Sequence, residues 1–334
     1  MARIGLVLGA GGMVGQAYHA GVLAALEADL GWDPRHADLI VGSSAGSITG
    51  TLLRLGVPAS DLAAVAVQAP LSPAGSAILD RLGEASDLPA MSLRSLLHGW
   101  RAPSLALLTR TARRPLAFRP SVAAMTLLPA GQVDIAAKAA MLDDLVGESW
   151  PEGLWICAAR RRDGARTVFG RPGAPPASLA AAVAASCAIP GYFSPVTISG
   201  TEYFDGGVHS PTNLDVLRKE ELDLVVVVSP MSAVKGRASG PGGLMRVSAH
   251  RRLADEMHKL RAAGTTVVRF EPGASSVHVM GLNAMDPQRA DRVAKSAFVE
   301  AGRYASRPAI RERLTPLLTP DRQARAERWA TEGA

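Results

Sequence analysis

Apolar residues in this chain come in short blocks, and most blocks end at glycine or proline. Residues 3–8 read as a buried strand, stopped by Gly9, Gly11 and Gly12. Residues 14–29 then read as a helix, with Val22, Leu23, Leu26 and Leu30 on one face. A second short strand is expected at 39–41. A second helix follows at 45–55, stopped by Gly56 and Pro58. Strand, glycine turn and helix, repeated twice, predict a parallel sheet with helices on its faces.

Residues 70–149 break that rhythm. They are rich in Ala, Leu, Pro and Arg, with helical stretches and no clear strand. Strand patterns resume at 154–159 and 167–170, and 177–187 reads as helix. Residues 222–229 are the clearest buried strand; a long helix is expected at 244–263 and a strand at 265–270. From residue 287 the pattern is mostly helical. The reading is therefore one α/β domain over 1–334, with an inserted helical cap or lid at 70–149 and a helical tail at 287–334. Internal repeats and low-complexity tracts are absent.

Composition fits a globular protein with a large core, at 48% hydrophobic and 20% charged residues. Aromatic residues are only 4%, so Ala, Leu and Val must fill most of it. Cys157 and Cys187 are the two cysteines, and they suggest neither a disulfide framework nor a metal knuckle. No metal or cofactor is expected. The net charge of +6 is unevenly placed. Residues 88–133 contain no acid but hold Arg94, Arg101, Arg110, Arg113, Arg114 and Arg119, equal to the whole net charge. No nucleic-acid motif accompanies them, which argues against that class of partner. Leu93, Leu96, Leu97 and Trp100 stand at helical spacing in the same stretch. A cationic, Leu-rich segment suits peripheral contact with an anionic membrane. The competing reading is an ordinary solvated helix packed on the sheet. The N-terminal apolar run is short and glycine-broken, unlike a signal peptide, and no run of about 18 apolar residues predicts a membrane span. The expected location is the cytoplasm, peripheral to a membrane if the cap docks.

Three constellations carry candidate chemistry. Gly42-Ser43-Ser44-Ala45-Gly46 is a Gly-x-Ser-x-Gly pattern between a predicted strand and a predicted helix. A nucleophilic serine must project from a sharp strand-to-helix turn, and flanking glycines such as Gly42 and Gly46 let the backbone pass. The competing reading of this pentapeptide is a structural turn. A second glycine run, Gly9 to Gly15, follows the first strand and precedes a helix. Backbone N–H groups there can hold the negative charge that acyl transfer builds on a carbonyl oxygen. A dinucleotide loop fits less well, because Val14 stands at its third glycine position and no acid follows the second strand. A phosphate loop fails for want of a following Gly-Lys-Ser/Thr. Third, Asp205-Gly206-Gly207 places a carboxylate before two glycines. Alone it reads as a turn; beside Ser44 it offers a proton acceptor on a loop able to approach closely.

Together these blocks resemble the patatin-like phospholipase family. The resemblance is carried by the glycine loop with 17–23, by Gly42 to Gly46, by the segment 185–196, and by Asp205-Gly206-Gly207 with Asn213 beyond it, in the family's order. It covers residues 4–56 and 178–215. It implies a three-layer α/β/α fold with a mostly parallel central sheet, and a serine hydrolase acting on lipid esters. By resemblance Ser44 is the nucleophile and Asp205 its base, without a catalytic histidine. Gly11, Gly12 and Met13 would supply oxyanion N–H groups. Val14 departs from the family's basic residue in the glycine loop, and Ala10 from its first glycine.

Two rival functions differ in their residues. A Ser–His acyltransferase would usually carry histidine beside its nucleophile, but Ser43 and Ala45 flank Ser44. A catalytically silent lipid-binding protein would not need both Ser44 and Asp205. His209, His250, His258 and His278 lie in no recognisable motif, and Cys187 reads as a small packed residue.

Overall fold

Alternate residues of the central strands point to opposite sides of the sheet, and both sides are apolar. The computed structural model describes residues 2–82, 131, 133–147, 149–233 and 241–318. Within them lie β1 (Ile4–Leu8), β2 (Leu39–Ser43), β3 (Leu154–Arg160), β4 (Arg166–Phe169), β5 (Val196–Ile198), β6 (Thr201–Asp205), β7 (Leu224–Val228) and β8 (Thr266–Phe270). They form one sheet in the order β5-β6-β3-β2-β1-β7-β8, with β4 also paired to β3. Pairing is parallel from β3 through β2, β1 and β7 to β8, and antiparallel where β4, β5 and β6 join.

One face carries Leu6, Leu8, Ile40, Ile156, Val226 and Val228. Covering it are α1 (Gly12–Leu30), α2 (Ala45–Arg54), α3 (Ala59–Val67), α7 (Leu179–Cys187) and α10 (Ala290–Ala305). The other face carries Val7, Val41, Trp155, Val225 and Val227, against Leu253, Met257 and Leu260 of α8 (Pro241–Arg261). This is the expected three-layer arrangement, and the period-two split of the strand residues produces it.

Helix α1 begins two residues before the sequence pattern predicts. Gly12, at φ 60°, belongs to its first turn, and an apolar-periodicity reading does not register glycine. Its far end is closed by Gly31 in the left-handed region, whose N–H donates to Glu27 O. The β5–β6 hairpin was not foreseen as strands. Its arms are three and five residues long, joined through Ser199 and Gly200, both at positive φ.

The cap expected at 70–149 falls largely on residues 83–130, outside the described residues, as do all six of its arginines. Its described flanks are helical: α4 (Pro73–Leu82), α5 (Ala136–Ala139) and α6 (Met141–Val146). Beyond β8 come α9 (Ala274–Met280), then α10 and α11 (Pro308–Arg313) in the predicted helical tail, whose last residues, 319–334, lie outside the description. No described helix is long and apolar enough to cross a membrane.

Candidate active site

Ser44 occupies the tight turn between β2 and α2, at φ 52° and ψ −124°. A side chain rarely adopts that conformation, so the surroundings must hold it. Both of its peptide groups are anchored. Its N–H donates to Ser186 Oγ at 2.9 Å, and Ser186 in turn donates to Cys157 O at 2.7 Å. Ser47 donates to Ser44 O through both its N–H and its hydroxyl, each at 2.7 Å. The flanking glycines allow close approach. A Cβ on Gly46 would fall on the carbonyl of Leu8, and one on Gly42 would lie 2.5 Å from Ser47 Cα. Strand β2 therefore turns into α2 against the end of β1 only because both positions lack a side chain.

Asp205 reaches Ser44 through the register of β3. Strand β2 pairs Ser43 with Cys157, and β6 pairs Asp205 with Ala158, the next residue. Strand β4 pairs with β3 over Ile156 to Ala159, overlapping both, so it occupies the opposite edge. Strands β2 and β6 thus meet end to end on one edge of β3. The Ser44 hydroxyl lies close enough to the Asp205 carboxylate to favour its charged form, and Gly207 N–H donates to that carboxylate at 2.7 Å. Both side chains are buried. Loss of water pushes the Asp205 carboxyl up to about 6, against the pull of those two groups. A Cβ on Gly206 would strike Cys157 O, and one on Gly207 would lie 2.7 Å from Ala10 Cβ. The paired glycines let this loop close onto both β3 and the glycine loop.

The glycine loop presents backbone donors. Gly9 N–H goes to Val228 O at 2.9 Å, Ala10 N–H to Pro211 O at 2.7 Å and Val14 N–H to Ala284 O at 3.1 Å. Among the described residues no acceptor takes the N–H groups of Gly11, Gly12 or Met13. They form the first turn of α1, where the helix leaves donors unpaired and its dipole favours negative charge. The turn lies beside the serine elbow: a Cβ on Gly15 would be 3.8 Å from Ala45 Cβ. Val14, at the family's basic position, is buried.

A supporting network had no role assigned from sequence. Asn213, buried at φ 52°, donates through Nδ2 to Ser43 Oγ at 2.8 Å, Gly206 O at 3.1 Å and Ser210 O at 2.8 Å. It thereby ties the serine strand to the Asp205 loop. Its Oδ1 accepts from Arg166 at 3.2 Å, and Arg166 pairs with Asp215. Buried Glu256 accepts from Thr212 at 2.7 Å and from Leu214 N–H at 3.0 Å. Ser186 and Asn213 both lie in segments that carry the family resemblance, but only three-dimensional contact shows what they hold.

Two of the histidines and Cys187 are engaged elsewhere. His209 Nδ1 lies 3.2 Å from Gly164 O, and His250 Nδ1 lies 2.9 Å from Glu271. Cys187 is buried beside Ser47, 3.6 Å from its hydroxyl, and burial pushes its thiol up to about 12. Such a thiol is a packed residue rather than a nucleophile. Among the described residues no three His, Cys, Asp or Glu side chains gather as a metal site.

The model of the patatin-like phospholipase family matches residues 6–218. No curated protein matches the chain. Among solved structures it is similar to VipD from Legionella pneumophila, at 14% identity and TM-score 0.43, over 91% of this chain and 66% of that one. It is also similar to ExoU of Pseudomonas aeruginosa in its heterodimeric complex with SpcU, at 18% identity and TM-score 0.36, over 94% of this chain and 52% of that one. The chain thus spans about two thirds of VipD and half of ExoU. With the glycine loop, the serine elbow, the Asp205 loop and Asn213 all inside the matched residues, the chain belongs to the patatin-like phospholipase family.

Proposed function

We propose that this protein is a serine acyl hydrolase of lipid esters, using Ser44 as nucleophile and Asp205 as its general base. The observation that carries the reading is the juxtaposition of Ser44, on its strained turn, with the buried Asp205 carboxylate. In the first half-reaction Ser44 Oγ attacks the ester carbonyl carbon and its proton passes to Asp205. The oxyanion develops beside the first turn of α1, where Gly11, Gly12 and Met13 offer unpaired N–H groups. Collapse breaks the ester bond, and the alkoxide leaves with the proton from Asp205. Water then attacks the acyl-Ser44 carbonyl and gives a proton to Asp205; the acyl–oxygen bond breaks, Ser44 Oγ takes that proton back, and the fatty acid is released.

A carboxyl at its usual value near 4 is a weak base for a hydroxyl. Raised to about 6, Asp205 becomes a better proton acceptor while remaining largely ionised at neutral pH. An alkoxide leaving group needs less proton assistance than an amine, so the dyad favours esters over amides. The engagement of His209 and His250 elsewhere disfavours a Ser–His acyltransferase. The test is labelling by a fluorophosphonate probe, compared between wild type and Ser44→Ala, followed by a panel of phospholipid, lysophospholipid and neutral esters. Labelling and hydrolysis should vanish together in Ser44→Ala. Hydrolysis surviving in a clean preparation of that variant defeats the proposal.

A further inference from the structure

Three of the most exposed large apolar side chains in the described structure lie on or against the start of α8. Leu244 and Met245, in the first turn of α8, are 80% and 64% exposed, and Leu282 is 78% exposed. Leu282 packs against the start of α8: a Cβ built on Gly242 would lie 3.0 Å from Leu282 Cδ2. An apolar cluster left in water is unfavourable and marks a surface built to meet something.

This cluster borders the candidate active site. Leu282 belongs to the loop between α9 and α10. Two residues on, Ala284 O accepts the Val14 N–H at 3.1 Å, and a Cβ on Gly12 would lie 2.6 Å from that carbonyl and 3.0 Å from Met285 Sδ. One short loop therefore packs on the oxyanion glycine and also turns Leu282 outward.

The first half of α8 holds no acid of its own, and Glu271, which reaches α8 at His250, also pairs with Arg269. Between Asp223 and Asp255 the described residues hold no acid but carry Arg246, Arg251 and Arg252. Arg251 is exposed two turns along α8 from Leu244, and Arg252 is half-buried beside it. The nearest acid on the Leu282 loop, Asp286, is paired to Arg289 at 2.8 Å.

We infer that Leu244, Met245 and Leu282 form an interfacial docking surface for an anionic lipid bilayer, with Arg251 and Arg252 meeting its headgroups. An apolar tip ringed by cations suits partial insertion between charged headgroups. Its place beside the glycine loop would bring the site to the plane where ester bonds lie. The inference rests on the lipid-ester reading for its purpose, but it is tested by binding alone.

The experiment uses the full chain carrying Ser44→Ala, so that vesicles stay intact. Co-sedimentation is measured with vesicles of phosphatidylcholine alone and with one-third phosphatidylglycerol. The Ser44→Ala protein should favour the anionic vesicles and lose that binding with added salt. Adding Leu244→Ser, Met245→Ser and Leu282→Ser should weaken binding by about tenfold or more, with an unchanged melting temperature. Arg251→Gln with Arg252→Gln should abolish the preference for anionic vesicles. With Ser44 restored, the triple serine variant should hydrolyse a short soluble ester normally. Undiminished vesicle binding by the triple variant overturns the proposal. So does a melting temperature lowered without loss of binding, which would mean the patch packs against the chain's own residues. A dimer in solution that the triple variant dissociates, with vesicle binding kept, assigns the patch to a second copy instead. Failure of the lipid-ester reading would appear separately, as absent hydrolysis in a protein that still binds vesicles.

Discussion

The hydroxyl of Ser186 holds the backbone N–H of Ser44 at 2.9 Å, across 142 residues of sequence. Because Ser186 also donates to Cys157 O, it pins the serine elbow to β3 from the end of α7. Ser186→Ala should release the strained Ser44 backbone toward an ordinary conformation. The expected result is a fall in kcat of about 10- to 100-fold, with KM nearly unchanged, since misplacing a reacting group by about 1 Å can cost as much. Steady-state kinetics on a soluble ester would check it, and an unaltered kcat would show that the elbow holds its shape without this bond.

Asp205 predicts a pH profile. The proposed base must be ionised, so kcat/KM should fall about tenfold per pH unit below the apparent pKa of the free enzyme. That pKa is expected near 6, because burial raises the carboxyl from 3.8. A limb centred near 4 would mean that water reaches the carboxylate and the site is wetter than its geometry suggests.

The same burial predicts a trade between stability and activity. Folded Asp205 holds its proton more tightly than the unfolded chain does. Its contribution is therefore fully present below 3.8 and is lost as pH rises through about 6. At pH 8 the charged carboxylate should destabilise the fold by roughly 3 kcal/mol, on the order of two pKa units. Asp205→Asn should be inactive yet more resistant to denaturant at pH 8, the difference shrinking to nothing near pH 4. Denaturant titrations at the two pH values would decide; a variant less stable at pH 8 would assign the carboxylate a net structural role.

Gly12→Ala tests the proposed oxyanion turn. Its methyl would meet Ala284 O at 2.6 Å, on a backbone at φ 60° that disfavours any side chain. Loss of one properly aimed donor typically removes about 2.7–4 kcal/mol of transition-state stabilisation. A drop in kcat of about 100-fold or more is expected, with the Ser44–Asp205 pair intact. A normal kcat would move the oxyanion site away from this turn.

Asn213 should matter more to stability than its distance from the reacting atoms suggests. Asn213→Gly keeps the left-handed backbone at φ 52° but strips Ser210 O of its donor. A buried group left unpaired costs about 1–3 kcal/mol. Asn213→Ala should be worse by about 1 kcal/mol more, because alanine resists that conformation. Equal stability of the two variants would show that the backbone strain is relieved locally.

How much was legible in the sequence follows from how local each feature is. Ser44 was readable because its turn is written in five consecutive residues, and the flanking glycines have steric reasons a short pattern records. The unbroken apolar runs of β1 and β7 predicted strands buried on both faces of the sheet. Ser186 and Asn213 were visible as members of segments, but their roles depend on partners 142 and 170 residues away. The β5–β6 hairpin had one faint signal, Ser199-Gly200 between short apolar arms. Residues 196–198 and 201–205 are too few for periodicity to register, so the strand that delivers Asp205 was read only as the approach to a turn.

That hairpin makes activity sensitive to single-residue spacing in one place and indifferent to it in another. Neighbouring positions on a strand face opposite ways, so Asp205 is presented to Ser44 only while it stands opposite Ala158. One residue inserted between Tyr203 and Asp205 would turn the carboxylate to the far side of the sheet and leave an intact but inert protein. The same residue inserted at Ser199-Gly200, the outer tip, would lengthen a surface loop and leave the pairing alone. Between homologues, length variation is therefore compatible with function at the tip of this hairpin, whereas the few residues before Asp205 form a fixed-length segment.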